Sequence, residues 1–218
     1  MASENHLYIN TIRGFLSDRG VYGKMKKNAK ELCLFIQDSE SDSWKANIKA
    51  LKELFRSATN SSIDFLDCLV MLEVCISEGL RADCIILGKN VRKEATGVVM
   101  ELKQWSDDFI SKPESEGEIR AGKVMTKYRY CSLRLHPSRQ VSDYRWKSFF
   151  IDREIQHVGM VYCYNCESGT QTYKVLYDSD YDDYIKECKP YTQKTKGSLV
   201  KALLYNLQFG GGQEVYDM

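Results

Sequence analysis

The sequence predicts an α+β protein, in which an N-terminal all-α helical bundle is followed by a small antiparallel β-barrel and a C-terminal helix. Two changes of pattern along the 218 residues indicate this order. Apolar residues recur at helical spacing in the first half, whereas the later segment is rich in tyrosine, valine, phenylalanine and threonine, as strands are. Helical spacing then returns at 195–208.

The predicted bundle contains two short helices between Leu7 and Ile36, where glycines interrupt a helical pattern, and three further helical patterns. The first is a stripe at i, i+4, i+7 and i+11, formed by Trp44, Ile48, Leu51 and Phe55. Residues 62–76 are apolar nearly all round, as expected of a helix in the middle of a bundle. The last pattern alternates steps of four and three residues through Val91, Ala95, Val98, Leu102, Trp105 and Phe109.

A linker separates the bundle from the predicted strands. Residues 111–118 read SKPESEGE, which combines proline, glycine, serine and glutamate and contains no apolar side chain. Beyond it, strand patterns are predicted at 124–135, 146–152, 159–164 and 172–177. We therefore predict a helical bundle at 1–112, a linker at 113–119, a barrel at 120–192, and a C-terminal helix and tail at 193–218.

Composition limits the classes of partner. The formal net charge is +1, so a nucleic acid would have to be recognised by a local patch. The chain shows neither a signal peptide nor an apolar run long enough for a membrane, so we expect a soluble intracellular protein without a membrane partner. Cys163 and Cys166 have the spacing of a metal pair but lack a second pair, so we predict no metal and no cofactor, with zinc as the alternative.

The segment from His157 to Ile185 contains GMV, then Tyr164, then KVLYDSDYDDYI after a short turn. This pattern resembles the Tudor and agenet group of small bent barrels. The resemblance implies a Tudor-like barrel that recognises methylated lysine or methylated arginine in an aromatic cage. Ring faces attract a methylammonium by about 0.5–2 kcal/mol each, and a carboxylate adds to this.

The cage implied by the resemblance draws on four rings and one of two anions. The rings are Trp146 or Phe149 from the entering strand, His157, Tyr177 and Tyr181, with Asp180 or Asp182 as the anion. The alternative for each aromatic residue is a packing role, because a small barrel also needs rings in its core. The two readings differ in whether the rings line an open pocket.

Four short segments upstream resemble the helical bundle at the N-terminus of elongation factor TFIIS. They are LKELF at 51–55, SIDFL at 62–66, LGKNV at 87–91 and ELKQW at 101–105. This resemblance implies a bundle that docks a motif of a partner protein and has no catalytic centre. An ordinary four-helix bundle is the alternative.

Basic residues interleave with aromatic residues between 120 and 147. This pattern is typical of a strand surface that contacts a nucleic-acid backbone, and a solvated strand face is the alternative. The predicted contacts are Lys123, Lys127, Arg129, Arg134, Arg139, Arg145 and Lys147.

Together these patterns predict a non-enzymatic, nuclear chromatin or transcription adaptor. Its barrel would read methylated lysine on a histone tail, its bundle would dock a transcription or chromatin protein, and its basic strand would rest on DNA phosphates. One alternative is an RNA-associated adaptor that reads methylarginine or binds nucleic acid directly. Another is a purely structural assembly subunit. No catalytic residue is predicted.

Overall fold

A six-stranded mixed sheet forms the centre of the molecule. The computed structural model describes residues 5–34, 36–127, 131–151 and 154–218. In sheet order the strands are β1 (Tyr8–Thr11), β2 (Leu69–Ser77), β3 (Leu80–Lys89), β4 (Ala95–Lys103), β8 (Gln156–Cys163) and β9 (Pro190–Thr192). The first four strands are antiparallel to their neighbours, whereas β4, β8 and β9 run parallel. A second, antiparallel sheet contains β5 (Ile110–Ser111), β6 (Lys123–Thr126) and β7 (Ser132–Leu135).

Helices cover both faces of the main sheet. They are α1 (Ile12–Ser17), α2 (Val21–Glu31), α3 (Asp38–Thr59), α4 (Glu116–Arg120), α5 (Pro137–Ile151), α6 (Gln171–Leu176), α7 (Asp182–Glu187), α8 (Lys196–Leu207) and α9 (Gly212–Tyr216). Residues of α1, α2, α3 and α8 share one apolar core with the sheet, and residues of α5, α6 and α9 share the other. In the described part of the chain, no helix is both long and apolar enough to cross a membrane.

The predicted fold class is wrong. The described residues form no closed barrel, so no Tudor-like antiparallel β-barrel is present in them, and the long helix α3 packs on a sheet instead of belonging to an N-terminal bundle. β4 and β8 pair in parallel over the whole of β8, from Thr96 with Gln156 to Lys103 with Cys163. Strands from both of the predicted units therefore belong to one sheet.

Burial on both faces explains why two strands are predicted as helices. The apolar centre of each range is strand: β2 occupies 69–76 of the first range, 62–76, and β4 occupies 95–103 of the second, 91–109. A strand covered on both faces is apolar throughout, and periodicity alone cannot distinguish it from a buried helix. The opposite error occurs at 172–177, where α6 replaces a predicted strand and begins after Thr170, whose hydroxyl accepts from the Tyr173 amide at 3.3 Å. Helices α3 and α8 lie where the spacing predicts them.

The antiparallel order of β2, β3 and β4 brings distant residues to one end of the sheet. Gly79 turns the chain between β2 and β3 with φ 73°, which glycine adopts without steric cost. The β3–β4 register pairs Cys84 with Met100, so the start of β3 lies beside the end of β4. Asp83 and Glu101 are consequently neighbours, although 17 residues separate them in sequence.

Candidate active site

Two carboxylates and an amine meet at this end of the sheet, and we call Asp83, Glu101 and Lys103 the acid–lysine cluster. Where the β3–β4 pairing ends, Asp83 Oδ2 accepts a hydrogen bond from the Leu102 backbone amide at 2.7 Å. Glu101 and Lys103 are two residues apart on one strand, so their side chains point to the same face. Lys103 Nζ donates to Glu101 Oε1 at 2.6 Å.

The cluster holds its charges away from water. Glu101 is only 3% exposed. Burial, and then the negative charge of Glu101, raises the pKa of Asp83 to about 7, although Lys103 opposes this change. Burial alone would lower the pKa of Lys103, but Glu101 and Asp83 outweigh it, so this pKa is raised and the ammonium stays charged at neutral pH. Two carboxylates therefore share one cation.

One buried oxygen of the cluster is unsatisfied. Glu101 Oε2 has no hydrogen-bond partner among the described residues. A buried polar atom in this state costs free energy unless a donor or a cation reaches it. Carboxylate oxygens suit Mg²⁺, Mn²⁺ and Ca²⁺, so the donor set of Asp83 and Glu101 fits a hard divalent ion.

The cluster supplies only part of a coordination shell. Within the described ranges, no three histidine, cysteine, aspartate or glutamate side chains are arranged to hold an ion by themselves. An ion at Asp83 and Glu101 would take its remaining ligands from water and from substrate oxygens. Mg²⁺ is commonly bound in this way, through one or two carboxylates and a substrate phosphate.

An ion pair beside the cluster connects β2, β3 and α3. Glu73 Oε2 on β2 lies 3.0 Å from Arg81 Nε, and Arg81 also contacts Glu40 at the start of α3. Glu73 is 6% exposed, and burial raises the pKa of its carboxyl group even though a guanidinium lies beside it. Glu101 is the carboxylate that contacts Lys103.

Lys103 opens onto a cleft of about 810 Å³, which we call the Lys103 cleft. It lies between α5 and the β6–β7 hairpin of the second sheet, and its lining includes Trp105, Arg134, Gln140, Tyr144, Trp146 and Lys147. Lys103 Nζ donates to Gln140 Oε1 at 3.1 Å, and Gln140 Nε2 donates to the Tyr144 hydroxyl at 2.8 Å. The amine is thus held in place where the cluster meets solvent.

The structure places the predicted nucleic-acid contacts in different surroundings. Arg134 and Lys147 are exposed, line the cleft and form no ion pair with any described residue. Lys127 is exposed just after β6, and Arg129 lies outside the described residues. The other three form ion pairs: Lys123 with Glu118, Arg139 with Asp143, and Arg145 with Glu187.

The rings of the predicted cage occupy different surroundings. Trp146 is 49% exposed and lines the Lys103 cleft. Tyr181 is fully buried, stacks on His136 with ring centroids 4.6 Å apart, and donates to the Lys123 carbonyl at 2.7 Å. Tyr177 follows α6 and donates to the Pro190 carbonyl at 2.8 Å. Neither tyrosine lines the cleft with Trp146.

The remaining cage candidates belong to different elements of the fold. His157 lies on β8 beside Gly97 of β4. Asp180 forms an ion pair with Lys112, and Asp182 begins α7 at the surface. Phe149 belongs to α5, and its side chain lies outside the described residues. Among the described side chains, those of His157, Asp180 and Asp182 do not line the cleft with Trp146.

The acid–lysine cluster has a sequence signal that helical patterns hide. Asp83 interrupts the apolar run of β3, and Glu101 and Lys103 follow directly after the apolar run of β4. In a helix, residues 101 and 103 would point in different directions, whereas in a strand they share a face. Charged residues at alternate positions, directly after a buried strand, are the signal that could have located the site.

Comparison with known proteins supplies no residue roles. The chain matches no protein-family model, no curated protein and no solved structure. The function is therefore argued from the chemistry of the acid–lysine cluster and from the charges and rings of the Lys103 cleft.

Proposed function

We propose that this protein is a divalent-metal-dependent hydrolase that cleaves phosphodiester bonds of nucleic acids at the acid–lysine cluster. One observation carries the proposal: the buried carboxylate of Glu101, one oxygen of which has no hydrogen-bond partner among the described residues, and the partly buried carboxylate of Asp83 adjoin a charged lysine that opens onto a basic cleft. A carboxyl group whose pKa is strongly raised by burial and by a neighbouring charge, as that of Asp83 is, is typical of functional sites.

Each residue of the cluster has a role in hydrolysis. Asp83 and Glu101 would hold the ion, which activates a water molecule and offsets the negative charge of the phosphate. The water oxygen forms a bond to phosphorus as the bond to one ester oxygen breaks. One water proton passes to solvent and the departing oxygen gains a proton, which leaves a phosphate monoester and an alcohol.

Lys103 suits charge stabilisation better than proton abstraction. Its raised pKa keeps it protonated, and Glu101 and Gln140 fix its position. A fixed ammonium can donate to a phosphate oxygen on which charge increases in the transition state. A cation whose position is already fixed in a site with little water stabilises negative charge more strongly than a cation in bulk water does.

The charges of the Lys103 cleft favour a polyanion. Its lining carries three cations, Lys103, Arg134 and Lys147, and one carboxylate, Asp143, which pairs with Arg139. The cations at 134 and 147 have no ion-pair partner among the described residues. They would attract phosphates and repel a methylated lysine, which is itself a cation. Reading of methylated histone tails remains a prediction, and direct nucleic-acid binding is the sequence-based alternative that this cleft supports.

The test is cleavage of labelled nucleic acids by the purified full chain with Mg²⁺ or Mn²⁺ and with a chelator. We expect activity that requires the ion and falls by about 100-fold or more in Asp83→Asn, Glu101→Gln and Lys103→Met, because each removes a charge from the site. Asp182→Asn is the matched control, since it makes the same chemical change on the surface of α7 and should leave activity unchanged.

Metal binding is measured separately by thermal unfolding. Excess Mg²⁺ or Mn²⁺ should stabilise the wild type, by about 2.7 kcal/mol at 100 times the dissociation constant, and should not stabilise Asp83→Asn. Activity that survives chelation, or that persists in Asp83→Asn and Glu101→Gln, would refute the proposal.

A further inference from the structure

Aromatic and basic side chains alternate around the Lys103 cleft. Trp146 of α5 exposes about half of its side chain there, and its neighbour Arg145 places a guanidinium 5.4 Å from the indole ring centre. Trp105 lies on the same lining, with Lys103 Nζ 5.5 Å from its ring. Rings of this kind provide surfaces on which unpaired bases stack.

The cations of the cleft come from opposite walls. Arg134 lies on β7 in the second sheet, whereas Lys147 lies on α5, and both are exposed. Lys103 lies deeper, because only 18% of its side chain is exposed. A backbone that runs between the two walls would therefore meet cations on both sides and the active site beneath it.

The size of the cleft limits the form of the substrate. Its volume of about 810 Å³ falls within the range of roughly 300–1,000 Å³ that holds compact ligands, so it can enclose only a few nucleotides. Lys103, which contacts Glu101, lies below the surface, and the substrate backbone must enter the cleft to reach it. A duplex keeps its base faces stacked inside the helix and would have to unpair first, which costs a few kcal/mol.

From the rings, the cations on both walls and the depth of Lys103, we infer that the Lys103 cleft binds a single strand of nucleic acid. This inference rests on the proposed function and specifies its substrate. Bases stack on Trp146, and the phosphates contact Arg134 and Lys147. One phosphodiester then reaches the acid–lysine cluster.

The experiment compares substrates of one sequence and about 20 nucleotides, longer than most single-strand binding sites. Single-stranded DNA, single-stranded RNA and the corresponding DNA and RNA duplexes are incubated with the full chain and Mn²⁺. At least one single strand should be cleaved with a kcat/KM about tenfold or more above that of its duplex. The two single-stranded arms show which sugar is preferred.

Variants of residues that line the cleft test whether the preference for single strands depends on the cleft. Trp146→Ala and the double variant Arg134→Ala/Lys147→Ala should each lower kcat/KM on the single strand by about tenfold, chiefly through KM. The matched controls are Tyr205→Ala and Lys201→Ala, which remove an exposed ring and an exposed cation from α8 on the other face of the sheet. Both controls should behave as the wild type.

Failure of the inference can be distinguished from failure of the proposed function. Equal cleavage of duplex and single strand, or an unchanged KM in Trp146→Ala, would overturn the inference and leave the hydrolase intact. If nothing is cleaved, the proposed function fails. Fluorescence anisotropy of Glu101→Gln with the same oligonucleotides then decides the inference: single-strand binding that Trp146→Ala weakens supports it, and equal or absent binding overturns it.

Discussion

The strands β2, β3 and β4 have an apolar half and a charged half, and these halves serve different purposes. Val70, Ile86 and Val98 are fully buried in the apolar half, where burial stabilises the fold by about 25 cal/mol per Å². In the charged half, Glu101 is buried and Asp83 is partly buried, which opposes folding unless a cation reaches their carboxylates. Stability therefore comes from one end of the sheet, and chemistry is placed at the other.

Backbone strain occurs in the same charged half. Glu73 has φ 52° within β2, a left-handed conformation that costs a residue other than glycine roughly 1–2 kcal/mol. It lies opposite Asp83, between the pairs Leu72–Cys84 and Val74–Ala82, and its carboxylate reaches Arg81. An unfavourable conformation that persists next to a buried charge cluster is a pattern found at functional sites.

The largest effect on stability is expected from a substitution in the apolar half of the sheet. Ile86→Ala should lower the free energy of unfolding by about 2–5 kcal/mol, because it removes buried methylene groups and leaves a cavity. Urea unfolding followed by circular dichroism measures the change. A loss below about 1 kcal/mol would show that this half of the sheet is less tightly packed than its complete burial indicates.

A smaller change of opposite sign is expected in the charged half. Asp83→Asn should raise the free energy of unfolding by about 1–2 kcal/mol near pH 8 without added metal, because it removes a buried charge and can retain the acceptor for the Leu102 amide. Urea unfolding measures this change, and Asp182→Asn is the exposed control. A loss of stability in Asp83→Asn would mean that this carboxylate serves the fold.

The pH dependence of the same variant gives a second readout. The pKa of Asp83 is raised from an ordinary value of 3.8 to about 7, so in this window the folded state binds more protons than the unfolded state. Wild-type stability should therefore fall as pH rises between these values, and the fall should be shallower in Asp83→Asn. Identical slopes in the two proteins would contradict the assignment.

The smallest effect is expected at the exposed acidic turn before α7. Lys112 contacts Asp178 and Asp180 there, and these side chains are 26–43% exposed. Surface ion pairs contribute about 0–1 kcal/mol, so Lys112→Ala should change the free energy of unfolding by less than that and leave metal-dependent cleavage intact. An effect as large as that of Ile86→Ala would remove the distinction between buried and exposed acids.

The sequence predicts the elements that have one solvent-facing side. Helices α3 and α8 each present an apolar stripe to the sheet and polar residues to water, so their spacing is readable. β2 and β4 are apolar on both faces and lack this contrast, and their assignment as helices led to a bundle. The order of the sheet depends on long-range pairing, such as that of β4 with β8, which a local pattern does not contain.

The same limitation affects the candidate site. Arg134 and Lys147 are among the predicted nucleic-acid contacts, because clustered cations are visible in composition. Asp83 and Glu101 come together only through the β3–β4 register, which the sequence analysis does not contain. Tyr181 illustrates the opposite case, since a tyrosine-rich segment does not reveal that this ring is fully enclosed and bonded to Lys123.

The two walls of the Lys103 cleft differ in how freely they can change. Helix α5 is anchored in the core through Val141, whereas the β6–β7 hairpin belongs to the connection that leads from β4 to α5. Connections tolerate insertion and exchange far better than the elements they join. Replacing residues of this hairpin should therefore change which nucleic-acid strands bind in the cleft, while the acid–lysine cluster stays the same. Both evolution and engineering could alter substrate preference in this way.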